Sequence, residues 1–324
     1  MSFKSALENA CAAFLAKVLR PRLLTRPRFF RLWEKRGYHI TPVHYYQPLP
    51  DTRELPPSLW EKRSEMPGID LAEKQQVQLL ESFARRFRDD YSRLPADASQ
   101  AGDGFHFDNP NFRQVDAEIL YSMIRHFQPR KIIEVGSGFS TLLSARAIRE
   151  QAASDPEYHC QFTAIDPYPH RVLCRAAQAD NPDTVIPGLG RILTAPVEKV
   201  PMEEFTTLGE NDILFLDSSH VLKIGGDVQY EYLEILPRLP RGVVVHVHDI
   251  FFPWEYPRDW VMERNLFWTE QYLLQAFLSL NDSFEILWMS HFMLQEHRPE
   301  VENAIPSARG KNVRPGSFWM RRVR

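Results

Sequence analysis

A chain of 324 residues, 44% hydrophobic and 25% charged with a formal net charge of −3, has the composition of a soluble globular protein and the length for a full α/β domain plus an appendage. No apolar run approaches the ~18 residues of a membrane span, and Ala6–Leu19 is broken by Glu8, Asn9 and Lys17, which argues against a secretory leader. The three cysteines, Cys11, Cys160 and Cys174, are scattered and odd in number; they exclude a disulfide framework and a zinc knuckle, and a reducing, cytoplasmic location is expected.

The charge is unevenly spread. Residues 1–36 hold nine Lys/Arg against Glu8 and Glu34, a net of +7, so the remainder sums to −10. This segment reads as one or two helices interrupted at Pro21 and Pro27. It suits either peripheral contact with an anionic membrane or a protein partner, or a solvated helix packed on the domain. Residues 39–68 carry Pro42, Pro48, Pro50, Pro56, Pro57 and Pro67, and so form an extended connector rather than a helix. A helix is predicted from Asp70, which with Glu73 makes a capping-box pattern; Leu71, Val77, Leu80, Phe83 and Phe87 trace its apolar stripe. Residues 95–111 form a loop, and a further helix covers Val115–Phe127. The expected division is an N-terminal helical extension and connector over 1–100 and an α/β domain over 101–324.

From there strands and helices alternate. Predicted strands are Lys131–Val135, Gln161–Ile165, Arg191–Leu193, Asp212–Leu216, Gly242–Val247, Phe284–Met289 and Phe318–Arg322. Predicted helices are Thr141–Ala153, His170–Gln178, Met202–Leu208, Asp227–Leu236 and Thr269–Leu280. The spacing implies a doubly wound, seven-stranded, mostly parallel sheet of Rossmann-like type. No helix pattern separates the last two strands, which suggests an antiparallel final pair joined by a long loop, Pro299–Pro315.

The first strand runs into Glu134-Val135-Gly136-Ser137-Gly138-Phe139-Ser140-Thr141. Glycines at 136 and 138 permit unusual φ and leave no Cβ in a ligand's way. Glu134 can accept a hydrogen bond from a cationic or ribosyl group. Asp166 ends the second strand, where a carboxylate can bind both ribose hydroxyls. This is not the dinucleotide fingerprint: the third glycine is missing, and the acid lies 30 residues beyond Gly136, against about 20 in that pattern. Glu134, Gly136, Ser137, Gly138, Ser140 and Asp166, with Asp217 across from them, are the expected cofactor-binding set.

The Glu-x-Gly-x-Gly turn and the acid after the second strand resemble the class I S-adenosylmethionine-dependent methyltransferases. The resemblance covers roughly residues 100–324. It implies S-adenosyl-L-methionine as cofactor, with Gly136 and Gly138 facing its methionine moiety, Asp166 on the ribose and Thr194–Glu198 bordering the adenine. The turns Asp217-Ser218-Ser219-His220 and His248-Asp249-Ile250-Phe251, with Arg36–Ile40 and Asn109–Phe112, are similar to a bacterial branch that acts on small molecules or sugars. An O-methyltransferase with a small-molecule or glycan acceptor is therefore expected.

Ligands of an open parallel sheet bind beyond the carboxyl ends of its strands, so Asp217, His220, His248 and Asp249 should converge near the glycines as the catalytic set. Strand alternation puts His246 and His248 on one face and Asp249 on the other. His246, deeper in the strand, is expected to pack within the fold. His248, with His220 as its rival, is expected to serve as general base for a hydroxyl. Asp217 and Asp249, 32 residues apart, resemble two magnesium ligands of some O-methyltransferases. Ile250 stands where a third oxygen ligand would be, so no metal site is expected, although the two histidines could complete a softer one. The aromatic run Phe251–Trp260 is either a lid that stacks on the acceptor or a hydrophobic plug. Nothing resembles a nucleic-acid module. A metal-dependent hydroxylase or hydrolase, and a non-catalytic nucleotide-binding module, are the competing readings.

Overall fold

The computed structural model describes residues 3–24 and 26–324; the side chains of Lys4 and Arg22, two of the N-terminal cations, lie outside it. The chain divides into two compact units, Met1–Leu59 and Trp60–Arg324.

The first unit has three helices, α1 (Phe3–Val18), α2 (Pro21–Leu24) and α3 (Pro27–Glu34). Pro21 and Pro27 open helices rather than interrupt one, because the first helical position needs no N–H donor. After α3 the proline-rich connector has no helix until a single 3-10 turn at Pro57–Leu59.

In the second unit α4 (Glu73–Tyr91) begins three residues later than Asp70. Ala72 sits in the left-handed region at φ 50°, and the Asp70 carboxylate accepts from the Ala72 N–H at 2.9 Å, so the acid closes a turn ahead of the helix instead of capping it. Leu80, Phe83, Phe87 and Tyr91 are buried, and α4 packs on α6 (Asp116–Phe127). The expected division at residue 100 thus falls inside the second unit, because the stripe of α4 is part of its core. Between them, α5 (Ala98–Ala101) is capped by Asp97, which accepts from the Ser99 N–H at 2.9 Å.

Beyond α6 the chain runs β1 (Lys131–Val135), α7 (Phe139–Ser154), β2 (Gln161–Ile165), α8 (Val172–Gln178), β3 (Arg191–Leu193), α9 (Met202–Thr206), β4 (Ile213–Leu216), α10 (Asp227–Tyr230), β5 (Val244–Val247), α11 (Arg258–Met262), α12 (Glu270–Leu278), β6 (Phe284–Met289), α13 (Ser290–Glu296), α14 (Arg298–Ala304) and β7 (Phe318–Arg322). The predicted helix Asp227–Leu236 is α only to Tyr230. It then widens into a π turn, Glu231–Ile235, and tightens into a 3-10 turn at Leu236–Arg238, where Pro237 cannot donate.

The sheet has seven strands in the order β3-β2-β1-β4-β5-β7-β6, parallel except for β7, which runs antiparallel between β5 and β6. The antiparallel final pair is present; its connection holds α13 and α14 first, and the loop begins only after Ala304, with a 3-10 turn at Pro306–Ala308. Pro299 lies in the first turn of α14, where proline is tolerated, so it opens a helix where a loop was expected to begin. Among the described residues no helix is long and apolar enough to cross a membrane.

Register sets the site. Val135 of β1 is level with Ile165 of β2 and with Leu216 of β4, and Leu216 is level with Val247 of β5. Gly136, Asp166, Asp217 and His248 therefore leave the sheet side by side. The central strands are almost wholly apolar because helices cover both their faces.

Candidate active site

Gly136 leaves β1 at φ 89°, and a Cβ there would lie 2.2 Å from the Asp217 carbonyl oxygen. Only glycine lets the ends of β1 and β4 approach this closely. Gly138 differs from expectation, since its φ of 179° is ordinary extended backbone. What it contributes is room: no heavy atom lies within 4 Å of the place a Cβ would take.

The acids beside the turn are held by its hydroxyls. Ser137 Oγ donates to the Asp166 carboxylate, whose other oxygen accepts from the Tyr168 N–H at 2.7 Å. Glu134 is 1% exposed. Its Oε1 accepts from Ser140 Oγ at 2.5 Å, while Oε2 has no partner among the described residues. Burial pushes its carboxyl up to about 8, against the opposing bonds from Ser140 and Thr141.

Asp217, His220, His248 and Asp249 do converge. His248 Nδ1 lies 3.4 Å from Asp217 Oδ1 and 3.8 Å from Asp249 Oδ2. His220 Nε2 lies 3.2 Å from the same Asp217 oxygen and 3.7 Å from Asp249. Alternation was expected to send Asp249 to the opposite face. Instead β5 ends at Val247, and Asp249 takes a left-handed conformation, φ 56°, that turns its carboxylate back toward the histidines. His220, also left-handed at φ 59°, is fixed through its carbonyl by the N–H groups of Thr269 and Glu270, at 2.9 and 3.2 Å. His246 is fully buried, stacked on Phe215 with ring centroids 3.9 Å apart, and its Nε2 is 2.9 Å from Ser317 Oγ. It packs within the fold, as expected.

Burial opposes charge on both site histidines, but their carboxylate neighbours prevail. Bonds to Asp217 and Glu270 hold His220 well above the usual imidazole range; Asp249, Asp217 and Asp116 do the same for His248. Burial likewise opposes the ionisation of Asp217, yet the charge of His248 and bonds from both imidazoles hold its carboxyl well below the usual range. Asp249 goes the other way, because its burial outweighs the attraction of the two imidazoles. Ligand atoms of Asp217, His248 and Asp249 all lie within 4.8 Å of one another, so these three could also hold a divalent cation.

Ser137, Gly138 and Ser140 on one side, and Asp217, His220, His248 and Asp249 on the other, line a single cavity of about 510 Å³. Glu134, Gly136 and Asp166 do not line it; the first and last join its wall through Ser140 and Ser137. The aromatic run is divided. Phe251, Phe252 and Tyr256 are buried core, a plug, whereas Trp260 reaches the cavity. Trp254 lines a separate cavity of about 330 Å³ with Trp60 and His291.

Three groups at the site carried no readable signal as site residues. Asp116 accepts from the Gly316 and Ser317 N–H groups at 2.8 and 2.9 Å and lies 3.7 Å from His248 Nε2. Glu270, 1% exposed, lies 2.8 Å from His220 Nδ1 and accepts from the Tyr232 hydroxyl at 3.1 Å. Trp268 packs 4.3 Å from the His220 ring and lines the cavity. An acid in the first turn of a helix, as Asp116 and Glu270 both are, reads first as helix stabilisation.

Residues 133–250 match a family described as a methyltransferase domain. An uncharacterized protein of Archaeoglobus fulgidus is 29% identical over 185 residues, which cover 55% of this chain and 77% of that protein. Among solved structures, an O-methyltransferase from Bacillus cereus in complex with SAH covers 76% of this chain and 91% of its own, at 13% identity and a TM-score of 0.37. A TDP-rhamnose 3'-O-methyltransferase of calicheamicin biosynthesis covers 78% and 95%, at 13% identity and a TM-score of 0.40. Scores this low carry no argument about acceptor or mechanism. The matched segment spans the glycine turn and the ends of β4 and β5, and it favours methyl transfer over the hydroxylase, hydrolase and non-catalytic readings. Over residues 133–250 the chain thus carries the pattern of a methyltransferase domain.

Proposed function

We propose that the protein transfers the methyl group of S-adenosylmethionine to a hydroxyl of a small-molecule or glycan acceptor held in the 510 Å³ cavity. The observation that carries this reading is that the glycine turn and the carboxylate–imidazole group face the same cavity. A cofactor approaching from the β1 side and an acceptor approaching from the β5 side would meet there. When bound, the cofactor supplies an electrophilic methyl group. Asp166, now satisfied by Ser137 and the Tyr168 N–H, would hold the ribose hydroxyls of the cofactor. Glu134, behind Ser140, would orient that serine toward the cofactor's methionine end.

On the acceptor side, His248 is better cast as a cation than as the base expected of it, because an imidazole held protonated by three carboxylates cannot take a proton. Asp249 suits that role, since burial raises its affinity for a proton. The acceptor hydroxyl becomes strongly acidic as its oxygen bonds to the methyl carbon, so a carboxylate suffices to receive the proton. His220 and His248 hold Asp217 and Asp249 in place for this step, and Glu270 orients His220.

The spacing of Asp217, His248 and Asp249 favours a second reading, in which a divalent cation held by them would lower the pKa of the acceptor hydroxyl. His248 would then stand in for the oxygen ligand that Ile250 does not offer. Chelation separates the two: with Asp249 as proton acceptor, EDTA-treated enzyme keeps most of its turnover. Complete loss restored by magnesium or manganese supports the cation instead. The function itself is tested by conversion of S-adenosylmethionine to S-adenosylhomocysteine across a panel of phenolic, aliphatic and sugar hydroxyls. Turnover with amine or thiol acceptors alone contradicts the proposal.

A further inference from the structure

α1 is an exposed, largely apolar helix, and a cluster of unpaired cations follows it. We propose that this N-terminal unit docks on an anionic lipid surface. Every residue of α1 from Ala6 to Val18 is exposed. At 3.6 residues per turn, Leu7, Cys11, Phe14, Leu15 and Val18 fall in one stripe along the helix. Leu7 is 58% exposed, Phe14 66%, Leu15 45% and Val18 51%. The reverse side is mostly alanine, and Glu8 is the one acid of the helix. A helix of this kind gains by sinking its larger side chains below the headgroups. Sixteen residues without a long apolar run lie on a membrane rather than cross it.

The charges select the lipid. Arg20, Arg26, Arg28, Arg31, Lys35 and Arg36 are exposed, and among the described residues none of them is paired with a carboxylate. Glu34, the nearest acid, pairs with His39 instead, at 3.3 Å. Residues 1–36 carry a net +7, the sign that an anionic leaflet attracts within a Debye length. The same charge argues against a second copy as the occupant, since two such segments would repel. The apolar stripe argues against a purely electrostatic partner, which would leave Leu7, Phe14, Leu15 and Val18 in water.

The full chain is mixed with sedimentable vesicles of phosphatidylcholine alone, or of phosphatidylcholine and phosphatidylglycerol in equal parts. Binding to the anionic vesicles should be at least about tenfold stronger than to the neutral ones and should fall as salt rises. Arg28→Glu with Arg31→Glu should weaken it by about 25-fold or more, at roughly fivefold for each charge removed. Phe14→Glu with Leu15→Glu keeps every cation, takes the segment from +7 to +5 and should weaken binding by at least about tenfold through the lost apolar stripe and the two added charges. An unchanged thermal midpoint shows that both double variants fold. Equal binding to the two vesicle types, or no binding, overturns the proposal. So does self-association in the absence of lipid that Phe14→Glu with Leu15→Glu abolishes while vesicle binding is untouched, because the stripe is then an interface between copies.

Discussion

At Gly136 a single hydrogen atom in place of a methyl group decides whether two strand ends meet. A Cβ there would overlap the Asp217 carbonyl at 2.2 Å, and the φ of 89° already disfavours any L side chain. Gly136→Ala should therefore cost about 2–3 kcal/mol or more in chemical denaturation, the scale of a strained backbone combined with an overpacked contact. Gly138→Ala, with open space and an extended backbone, should leave stability nearly unchanged and instead weaken cofactor binding. Equal losses of stability in the two variants would refute the distinction. The proton acceptor is also decided at this scale, by the pH–rate profile. If His248 were the base it would have to lose its proton first, and its raised pKa would then make turnover climb well above neutral pH. With Asp249 as acceptor, turnover is already full near neutrality and falls only in acid. Asp249→Asn should lower it by about 10²–10⁴-fold. His248→Gln should lower it less and leave the profile without an alkaline rise.

Elements differ in how far they could be read. β1, β2, β3, β6 and β7 match their predicted ranges, because short apolar runs bounded by turn residues have few other ways to be buried. β4 and β5 begin one and two residues late, at Ile213 and Val244. α13 and α14 were hidden by Pro299, whose meaning depends on whether it opens or breaks a helix. Asp249 was misplaced because alternation holds only while a strand continues, and a left-handed residue at its end reverses the side chain. α12 acts on the site as an element: its first N–H groups hold the His220 carbonyl, its first side chain holds the His220 ring, and Trp268 just before it packs on that ring. Trp268→Ala should accordingly raise the apparent KM for acceptor and lower kcat. Trp254→Ala, whose ring lines the other cavity, should leave both within about twofold if that cavity takes no part in acceptor binding. The reverse pattern would move the acceptor site to the Trp60–Trp254 cavity.

In the molecule as a whole, the seven-stranded, mostly parallel frame and its glycine turn were legible in sequence because both are local. Each strand declares itself, and Glu134, Gly136 and Gly138 sit within five residues. The acceptor side was legible only as a list of polar strand ends. Its pairings join β4, β5, α6 and α12, and no local pattern links Asp116 to His248 or Glu270 to His220. The raised pKa of both histidines follows from those long-range pairings, so the preference proposed for Asp249 over His248 as base could not be read from any local pattern. Asp166 and the turn beside it are the proposed site for S-adenosylmethionine. Titration calorimetry of wild type and Asp166→Ala measures this directly. The wild-type chain should bind S-adenosylmethionine, and the variant should bind it more weakly by at least about 2 kcal/mol, the scale of charge-assisted hydrogen bonds lost from the ribose. Tight binding of NADH with no S-adenosylmethionine signal, or equal affinity in wild type and variant, would contradict it.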